Sequence, residues 1–496
     1  SLGLFYNSRV WKKTAYSAYL FDNETWLAPG FALGYGKILV GETNFYQGPN
    51  PGTLRLFDVI DGQGTHHEFE GSNGDFQTKD GTYTKFSDPT PYAYHSTSYI
   101  GTMIYADGTR IDYGAGIQTG YSQFGNNNAY YSRDMEAYPV KIMDRNGNYI
   151  KVNYVNGVGP KISSLEDSLG RYVRFYYAAN GDLISITVPG YAGGDDLQVA
   201  RFYYQDLTIT AGFQNPGSGT SNPGTKRVLK YIYLPGTKAG WKYDYSTYGM
   251  IYQMKQLRGM TCTSPSIPSV ADSVGNEGLV AATTTYNYPT IESNLTDVPQ
   301  FTQRTDDWAG NTTGGAAVTS FASDATAGTV TVTDPYGIIT QTKKFITGNY
   351  VGLVQEISTQ KMVNNVPTVL AKTVLEYDPD PAYIYRNFRV IRSTSTVTVG
   401  SGQFKSKVVE YSYDAYNNIT LAIEKGYDGN EVRRTENTYE TGTGWINQRL
   451  LRLPKTVLVK SASGTVLART DFVYDKSDTG VAGTNLLARS NAAGSD

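Results

Sequence analysis

The stretch PKISSLEDSLGRYVRFYYAANGDLISITVPG, from Pro160 to Gly190, decides the fold. Its aromatic and β-branched residues fall in short runs that suit strands. The runs are separated by the sequence DSLGR, which begins at Asp167, and by Asn180-Gly181. Such sequences supply the positive φ that a tight hairpin turn requires. The stretch therefore predicts consecutive antiparallel hairpins.

The first of these turns belongs to a repeated pattern, Asp-x-x-Gly followed by Asn or Arg. Copies begin at Asp144, Asp167 and Asp307, with looser copies at Asp334 and Asp414. The copies at 144 and 167 lie 23 residues apart, and those at 307 and 334 lie 27 apart. Tyr154 and Tyr177 each follow their aspartate by ten residues. This spacing predicts one two-stranded unit per repeat and a long sheet built from such units.

Strand and turn sequences extend through most of the chain. The windows KVNYV at 151–155, VLKYIY at 228–233 and KVVEYSY at 407–413 alternate polar and apolar residues at or near period two. No window of a dozen residues carries a clean helical stripe, and the Ser/Pro-rich stretch from Thr261 to Asn276 is where short helical turns fit. The sequence thus predicts an all-β protein.

Composition narrows the class of protein further. The 496 residues carry 45 acidic and 43 basic side chains, for a formal net charge of -2, which argues against nucleic acid or an anionic membrane as partner. Tyrosine occurs 42 times and glycine 53 times, which favours strands and turns. No apolar run reaches the roughly 18 residues of a membrane-spanning helix. The chain begins at Ser1, which we interpret as a fragment or as the loss of a signal peptide.

Metal and cofactor chemistry finds little support in the sequence. Cys262 is the single cysteine, and the three histidines are His66, His67 and His95, too few for a disulfide framework or for most zinc sites. The turn at Asp144 has its glycine two positions early for a calcium loop and lacks the carboxylate at position twelve. No catalytic, cofactor-binding or metal-ligating residue is assigned, and no cofactor is expected.

Two acidic doublets, Asp195-Asp196 and Asp306-Asp307, raise the alternative of a glycoside hydrolase, in which two carboxylates flank a sugar bond. Neighbouring residues of a strand point to opposite faces, so neither doublet supplies both acids by itself. We therefore expect solvated loop acids and no enzymatic activity. The short motif for N-glycosylation occurs at Asn23, Asn294, Asn311 and Asn418.

The tyrosines admit three interpretations: packing within the sheet, a platform for stacking sugars, or the lining of a cavity. A tyrosine buries its ring and leaves its hydroxyl for a partner at the rim. A sheet of one layer cannot hide both faces, and half-buried residues of this kind suit it. We predict a structural role and retain ligand binding as the alternative.

Together these features resemble the RHS or YD-repeat family. The stretch from Pro160 to Gly190 is similar to one full repeat, and the dipeptide that names the repeat is matched at Tyr243, Tyr377, Tyr413, Tyr427 and Tyr474. Five segments of this chain resemble the segment that opens bacterial RHS proteins: FYNSRVW at 5–11, GFALGYGKI at 30–38, DGQGTHHEFE at 61–70, DGTYTKFS at 80–87 and YADGTRIDYG at 105–114. We expect a β-rich opening segment over 1–135 and YD repeats over 136–496, divergent over 260–400.

The resemblance implies tandem hairpins that form a continuous, spiralling, hollow β-sheet shell or tube. In bacterial RHS proteins and insecticidal toxin-complex cocoon subunits such a shell holds a carboxy-terminal toxin, whereas teneurins use an outer surface for adhesion. The last residues here, LLARSNAAGSD at 486–496, lack the self-cleavage segment and the DPxGL-type motif that close the shell in the family. Either the remainder lies outside this chain, or the chain builds an open tube or fibre.

These expectations combine into one function. We predict a non-enzymatic structural shell or scaffold, secreted and located outside the cell or at its surface. Its expected partners are another copy, joined edge to edge into a filament, or an encapsulated carboxy-terminal polypeptide. The alternative is a cell-surface adhesin or glycan-binding protein that contacts surface glycans through tyrosine-rich strand faces.

Overall fold

The computed structural model describes residues 3–493 except 15, 23–24, 46–51, 63–64, 73, 79, 90–97, 125–129, 264–267, 289–294, 296, 312–313, 380–386, 400–402 and 475–485. The described chain consists almost wholly of strands, which confirms the all-β prediction. Its helical elements are α1 (Thr443–Asn447) and 3₁₀ turns at Val155–Gly157 and Tyr191–Gly193. None of these described helical elements is long and apolar enough to span a membrane.

The strands fall into three groups along the chain. The first group is β1 (Gly3–Tyr6), β2 (Trp11–Lys13), β3 (Tyr19–Phe21), β4 (Leu27–Ala28) and β5 (Phe31–Gly34). The second is β6 (Gly36–Phe45), β7 (Gly52–Asp61), β8 (His66–Ser72), β9 (Asp75–Thr78), β10 (Lys85–Ser87), β11 (Gly101–Ile104), β12 (Arg110–Phe124) and β13 (Tyr130–Met143).

The third group is the repeat region. Its strands are β14 (Tyr149–Tyr154), β15 (Ile162–Asp167), β16 (Tyr172–Tyr177), β17 (Leu183–Val188), β18 (Leu197–Thr208), β19 (Thr225–Leu234), β20 (Ala239–Tyr245), β21 (Ile251–Arg258), β22 (Thr261–Cys262), β23 (Val274–Asn276), β24 (Leu279–Asn287), β25 (Gln303–Trp308), β26 (Ala317–Asp324), β27 (Thr329–Thr333), β28 (Ile338–Lys344), β29 (Val354–Val363), β30 (Val366–Pro379), β31 (Phe388–Val399), β32 (Gln403–Tyr413), β33 (Ile419–Lys425), β34 (Glu431–Tyr439), β35 (Pro454–Ser461), β36 (Val466–Tyr474) and β37 (Leu486–Ala493). At the two ends of the Ser/Pro-rich stretch, where short helical turns would fit, β22 and β23 pair with each other; residues 264–267 within it lie outside the described residues.

The strands of the main sheet pair in chain order from β10 to β21 and from β24 to β37, and the order returns through β6 to β9 so that the sheet closes. The chain forms two compact units. The first comprises Ser1–Gly36, Val152–Ala322 and Thr333–Pro335; the second comprises Lys37–Lys151, Ser323–Val332 and Tyr336–Asp496. The boundary at residue 135 between opening segment and repeats stays a prediction from the sequence.

Strands β6 to β13 close into a ring within the second unit. Along one edge β13 pairs with β12; along the other it pairs first with β6 and then, at Lys141–Met143, with β14. The ring encloses a buried apolar cluster of Ile38, Val40, Phe57, Val59, Phe76, Phe86, Ile100, Met103, Ile111, Tyr113, Met135 and Ala137. A ring of eight strands is just wide enough to be filled by side chains. This filled barrel is a feature that the sequence did not predict.

The later repeats are built differently. Among the described residues between Tyr288 and Trp445, no apolar side chain is buried. The buried side chains in that range belong to Thr319, Ser358, Asn387, Thr396 and Asn418. A strand that buries little on either face gains its stability from the backbone ladder and from cross-strand pairs. These repeats therefore form a single layer of sheet without an apolar core of their own.

The opening strands cover part of the sheet in the first unit. The indole Nε1 of Trp11 donates to the carbonyl of Tyr248 at 2.8 Å, and the ring of Tyr19 stacks on that of Phe213 with centroids 3.8 Å apart. The cluster around them also contains Val10, Phe21, Ile209, Met250 and Tyr288. The sheet thus buries large apolar residues where a second layer of chain lies over it.

A connection between β34 and β35 docks the late repeats on the barrel within the second unit. The N–H of Leu451 donates to the carbonyl of Ala106 at 2.9 Å, and the guanidinium of Arg449 donates to the carbonyl of Tyr83 at 2.7 Å. Tyr83, Ala106 and Leu451 form a buried cluster there. The helix α1 lies in this connection, so it helps to position these contacts.

We expect substitutions in the barrel and in the repeats to have unequal effects. Phe86 is 0% exposed and contacts Phe57, whereas Phe404 in β32 is 63% exposed. Phe86→Ala should lower the free energy of unfolding of the barrel by about 3–5 kcal/mol, and Phe404→Ala should change that of the repeats by less than about 0.5 kcal/mol. Amide hydrogen exchange in peptides from the two regions measures both values. Equal losses would mean that the repeats possess a core.

Candidate functional site

The hairpin turns of the repeats are fixed by an aspartate side chain. Oδ1 of Asp414 accepts hydrogen bonds from the backbone N–H groups two and four residues on, at 2.8 and 2.9 Å. The same pair of bonds forms at Asp144 and at Asp167. The predicted turn is confirmed at these three positions. At Asp307 the turn begins one residue later, because Asn311 N–H donates to the carbonyl of residue 308.

A tyrosine lies at the end of alternate strands, and its hydroxyl reaches back to the preceding strand. In the second unit the donors and the backbone carbonyls that accept from them are Tyr377 and Val354 (2.8 Å), Tyr413 and Val390 (2.7 Å), Tyr439 and Ile419 (3.1 Å), and Tyr474 and Pro454 (2.8 Å). Each acceptor lies at or near the start of its strand. We call this series of bonds the tyrosine ladder and each tyrosine a rung.

The acceptor residues couple one rung to the next. Val390, whose carbonyl accepts from Tyr413, is paired in register with Tyr377 on its other side. In the same way, Ile419 is paired in register with Tyr413. Pro454 is paired with Tyr439. Each rung therefore ends on a residue whose place the preceding rung has set.

The first unit repeats this arrangement. There the donors and accepting carbonyls are Tyr177 and Ile162 (2.6 Å), Tyr245 and Leu229, and Tyr288 and Ile251 (3.2 Å). Ile251 is again the register partner of the preceding rung, Tyr245. The same device thus operates in both units.

A β-bulge accompanies the ladder. At seven tyrosine positions the register shifts by one, so that one residue of the facing strand has no register partner: Ile184, Lys230, Tyr252, Ile391, Thr420, Lys455 and Leu487. A bulge bends its strand and increases the local twist. Repeated along the ladder, the bulges bend the sheet at regular intervals.

The Tyr-Asp dipeptide identifies part of the ladder. Tyr377, Tyr413 and Tyr474 are rungs, whereas Tyr243 is buried, Tyr427 is exposed, and neither is a rung. The remaining rungs are followed by residues other than aspartate. A tyrosine placed just before a hairpin turn is the signal that would have found them.

Burial keeps the rung hydroxyls protonated. It raises the pKa of Tyr245 well above the usual value of 10.0. Burial also raises the pKa of each rung in the later repeats: Tyr377, Tyr413, Tyr439 and Tyr474. A neutral phenol donates a hydrogen bond and a phenolate cannot. The ladder is therefore intact across the neutral range of pH.

Three of the four acids considered for catalysis make local contacts, and Asp306 and Asp307 lie in β25 and not, as expected, in a loop. Asp196 forms an ion pair with Arg174 at 2.5 Å, and Asp306 accepts from the hydroxyl of Thr284 at 2.7 Å. Asp307 accepts hydrogen bonds within its own turn. These contacts give each carboxylate a structural role.

The residues considered for metal binding form no centre among the described residues, since no group of three His, Cys, Asp or Glu side chains converges there. Nδ1 of His67 lies 2.8 Å from a carboxylate oxygen of Asp80. His95 lies outside the described residues. Burial raises the pKa of the Cys262 thiol, so the less reactive protonated form is favoured.

The fold buries the asparagine of one N-glycosylation motif. Asn418 is buried, and its side-chain amide donates to the carbonyl of Leu451 at 2.7 Å. The amide of Asn311 donates to the carbonyl of Gly315 at 2.7 Å. Asn23 and Asn294 lie outside the described residues.

Comparison with known proteins gives distant likenesses. No family model and no curated protein matches the chain. Among solved structures the chain is similar to the Tc holotoxin pore of Photorhabdus luminescens, with 12% identity over 84% of this chain and 23% of that chain at a TM-score of 0.27. The chain is also similar to the structure of TcdB2-TccC3-TEV, with 11% identity over 84% of this chain and 23% of that chain at a TM-score of 0.25. A porin-like protein from Bacteroides uniformis is 11% identical over 76% of this chain and 97% of that chain, at a TM-score of 0.14. Likenesses at these TM-scores do not assign a function.

Removal of a rung hydroxyl should loosen the sheet locally. Tyr413→Phe leaves the carbonyl of Val390 without this donor, at a cost of about 1 kcal/mol. Amide exchange in peptides from β31 and β32 should therefore accelerate roughly fivefold. Tyr427→Phe is the matched control, because Tyr427 also precedes an aspartate yet stands outside the ladder, 60% exposed. If the two variants exchange alike, the Tyr413 hydroxyl does not hold the sheet.

The ladder should also make the fold sensitive to alkali. The pKa of Tyr245 is raised by burial, so this group stays neutral in the fold at a pH where tyrosines of the unfolded chain, with a pKa of 10.0, ionise. The free energy of unfolding should hold constant up to about pH 10 and fall above it. The Tyr245→Phe variant should have a lower free energy of unfolding than the parent at neutral pH. Above pH 10 its free energy of unfolding should fall less steeply with pH than that of the parent. Denaturant titrations across this range measure both slopes, and parallel curves would refute the role of Tyr245.

Proposed function

We propose that this chain is a non-enzymatic structural protein of the RHS or YD-repeat type, whose hairpins form a wall. The tyrosine ladder is the observation that carries the proposal. Each rung ends on a residue that the preceding rung has placed, so hairpins are added one after another without a shared core. In tandem-repeat architectures of this kind, length follows from the number of units.

The faces of the later repeats support a wall with water on both sides. Glu424 pairs with Arg433 at 2.6 Å, and the adjacent Lys425 pairs with Glu410 at 2.8 Å. Neighbouring residues of a strand point to opposite faces, so ion pairs occupy both faces of the sheet. A sheet with two polar faces suits a barrier that has water on both sides. One sheet of a β-sandwich would instead have an apolar inner face packed against its partner sheet.

The setting and partners belong to the same proposal. We place the wall outside the cell or at its surface, where it would enclose a carboxy-terminal polypeptide or associate with further copies of itself. The chain spans 23% of the length of the two Tc toxin structures named above. The engagement of Asp196, Asp306 and Asp307 in local contacts supports the absence of hydrolytic activity.

Small-angle scattering tests the wall. A filled globule of this length has a radius of gyration of about 23 Å. We expect a larger value and a pair-distance distribution depleted at short distances, since the later repeats have no filled interior. Class averages in electron microscopy should show a curved layer with an empty concave side. A radius of about 23 Å together with solid class averages would overturn the proposal.

A further inference from the structure

A cavity of about 780 Å³ lies in the first unit, between one face of β17, β18 and β19 and the chain segment from Ala271 to Glu277. We call this segment the roof. The cavity is lined by both aromatic and charged side chains: Asp182, Tyr203, Tyr204, Lys230, Tyr231 and Glu277. Its volume falls within the range of roughly 300–1,000 Å³ that is typical of ligand pockets.

The roof is held by a buried ion pair. The guanidinium of Arg201 lies 2.8 Å from the carboxylate of Asp272, and their side chains are 1% and 2% exposed. Arg201 also donates to the carbonyl of Val270 at 2.7 Å, and the hydroxyl of Ser185 donates to the carbonyl of Pro268 at 2.6 Å. A buried ion pair costs desolvation that a well-packed apolar pair would avoid, so stability alone does not explain it. It fixes the roof at a set position over the sheet.

The bulge beside Tyr204 brings a cation to this cavity. Tyr203 pairs with Tyr231 and Tyr204 pairs with Leu229, which leaves Lys230 as the extra residue of β19. Its ammonium lies 5.6 Å from the centre of the Tyr231 ring, and its charge contributes to lowering the pKa of Glu277 at the cavity wall, after the hydrogen bonds and charge that Tyr231 and Lys242 supply. A bulge can redirect a side chain in this way. Lys230 is therefore available as a donor to a molecule in the cavity.

Two further donors are shielded from solvent at the cavity wall. The hydroxyl oxygens of Tyr203 and Tyr204 are buried and make no well-placed hydrogen bond: the first lies near the thiol of Cys262 and the second near the backbone of Leu183. A buried hydroxyl without a partner costs roughly 1–3 kcal/mol. A ligand with hydroxyl groups can accept from both phenols and so offset this cost.

The carboxylates around the cavity are already balanced by cations. Asp182 pairs with Arg227 at 3.0 Å and Glu277 pairs with Lys242 at 2.9 Å, in addition to the ion pair that holds the roof. Paired carboxylates still accept hydrogen bonds, since each has about four lone-pair sites. The cavity thus offers many donors and acceptors and little net charge, a combination that favours a neutral ligand.

We propose that this cavity binds a neutral, polyhydroxylated ligand of the oligosaccharide class. The Tyr203 and Tyr231 rings, which meet edge to face with centroids 6.4 Å apart, provide apolar surface for the C–H groups of a sugar ring. Lys230, the two phenols and the paired carboxylates meet its hydroxyls. This inference goes beyond the structural function proposed above. It assigns the alternative function, glycan binding through tyrosine-rich strand faces, to one site.

The test uses the full chain and neutral saccharides. A glycan array selects the probe, and calorimetry with that di- or trisaccharide measures its affinity. Tyr203→Phe and Lys230→Met should each weaken binding about tenfold or more. Tyr203→Phe should leave thermal stability nearly unchanged, because the buried hydroxyl that it removes has only the weakly accepting Cys262 thiol nearby. The matched controls are Tyr172→Phe on β16 and Lys226→Met on β19, because neither residue lines the cavity.

Three results would overturn the site. One is an array without binding and no calorimetric signal from maltotriose or triacetylchitotriose up to about 10 mM. Another is binding that survives both cavity variants. The third is a preference for inorganic phosphate or acetate over every neutral saccharide. Each of these leaves the scattering test of the wall unaffected, so failure of this site and failure of the wall are distinguishable.

Discussion

A tyrosine hydroxyl bonded to a carbonyl on the preceding strand holds the repeat sheet in register. A slip of one residue exchanges the two faces of a strand, and a buried apolar face normally opposes it. Between Tyr288 and Trp445 no described apolar side chain is buried, so this safeguard is missing there. The bond from Tyr413 to Val390 replaces it, since a slip would move the acceptor away and unmatch the adjacent bulge.

In the repeat at Tyr413, register, bend and chain reversal come from one short segment. The bulge stands beside the Tyr413 rung, and the turn capped by Asp414 follows directly. Long sheets that remain flat are unusual because strand twist accumulates. Bulges at alternate strands therefore determine where the twisted sheet bends. The bend at each of the seven tyrosine bulges is thus set locally, within its own hairpin.

The sequence predicted what is local and missed what depends on long-range pairing. Alternation and the turn at Asp167 are local, and both were found. The acceptor of Tyr413 lies on another strand, and the register that brings it there cannot be deduced from neighbouring residues. The barrel core was missed for the same reason. Alternation at Ile38 and Val40 indicates one buried face, whereas ring closure depends on β6 meeting β13 across the opening segment.

The second layers of chain explain where chemistry is possible in such a protein. A sheet wet on both faces gives a ligand little desolvated surface, and electrostatic and hydrogen-bond contacts gain strength when water is excluded. In the first unit the opening strands and the roof create buried clusters, one of which joins Tyr231 and Leu257 to Cys262 beneath the roof. The cavity lies at the margin of that cluster. A repeat with a covering loop has a partly enclosed cavity, while the repeats between Tyr288 and Trp445 remain a single layer of sheet.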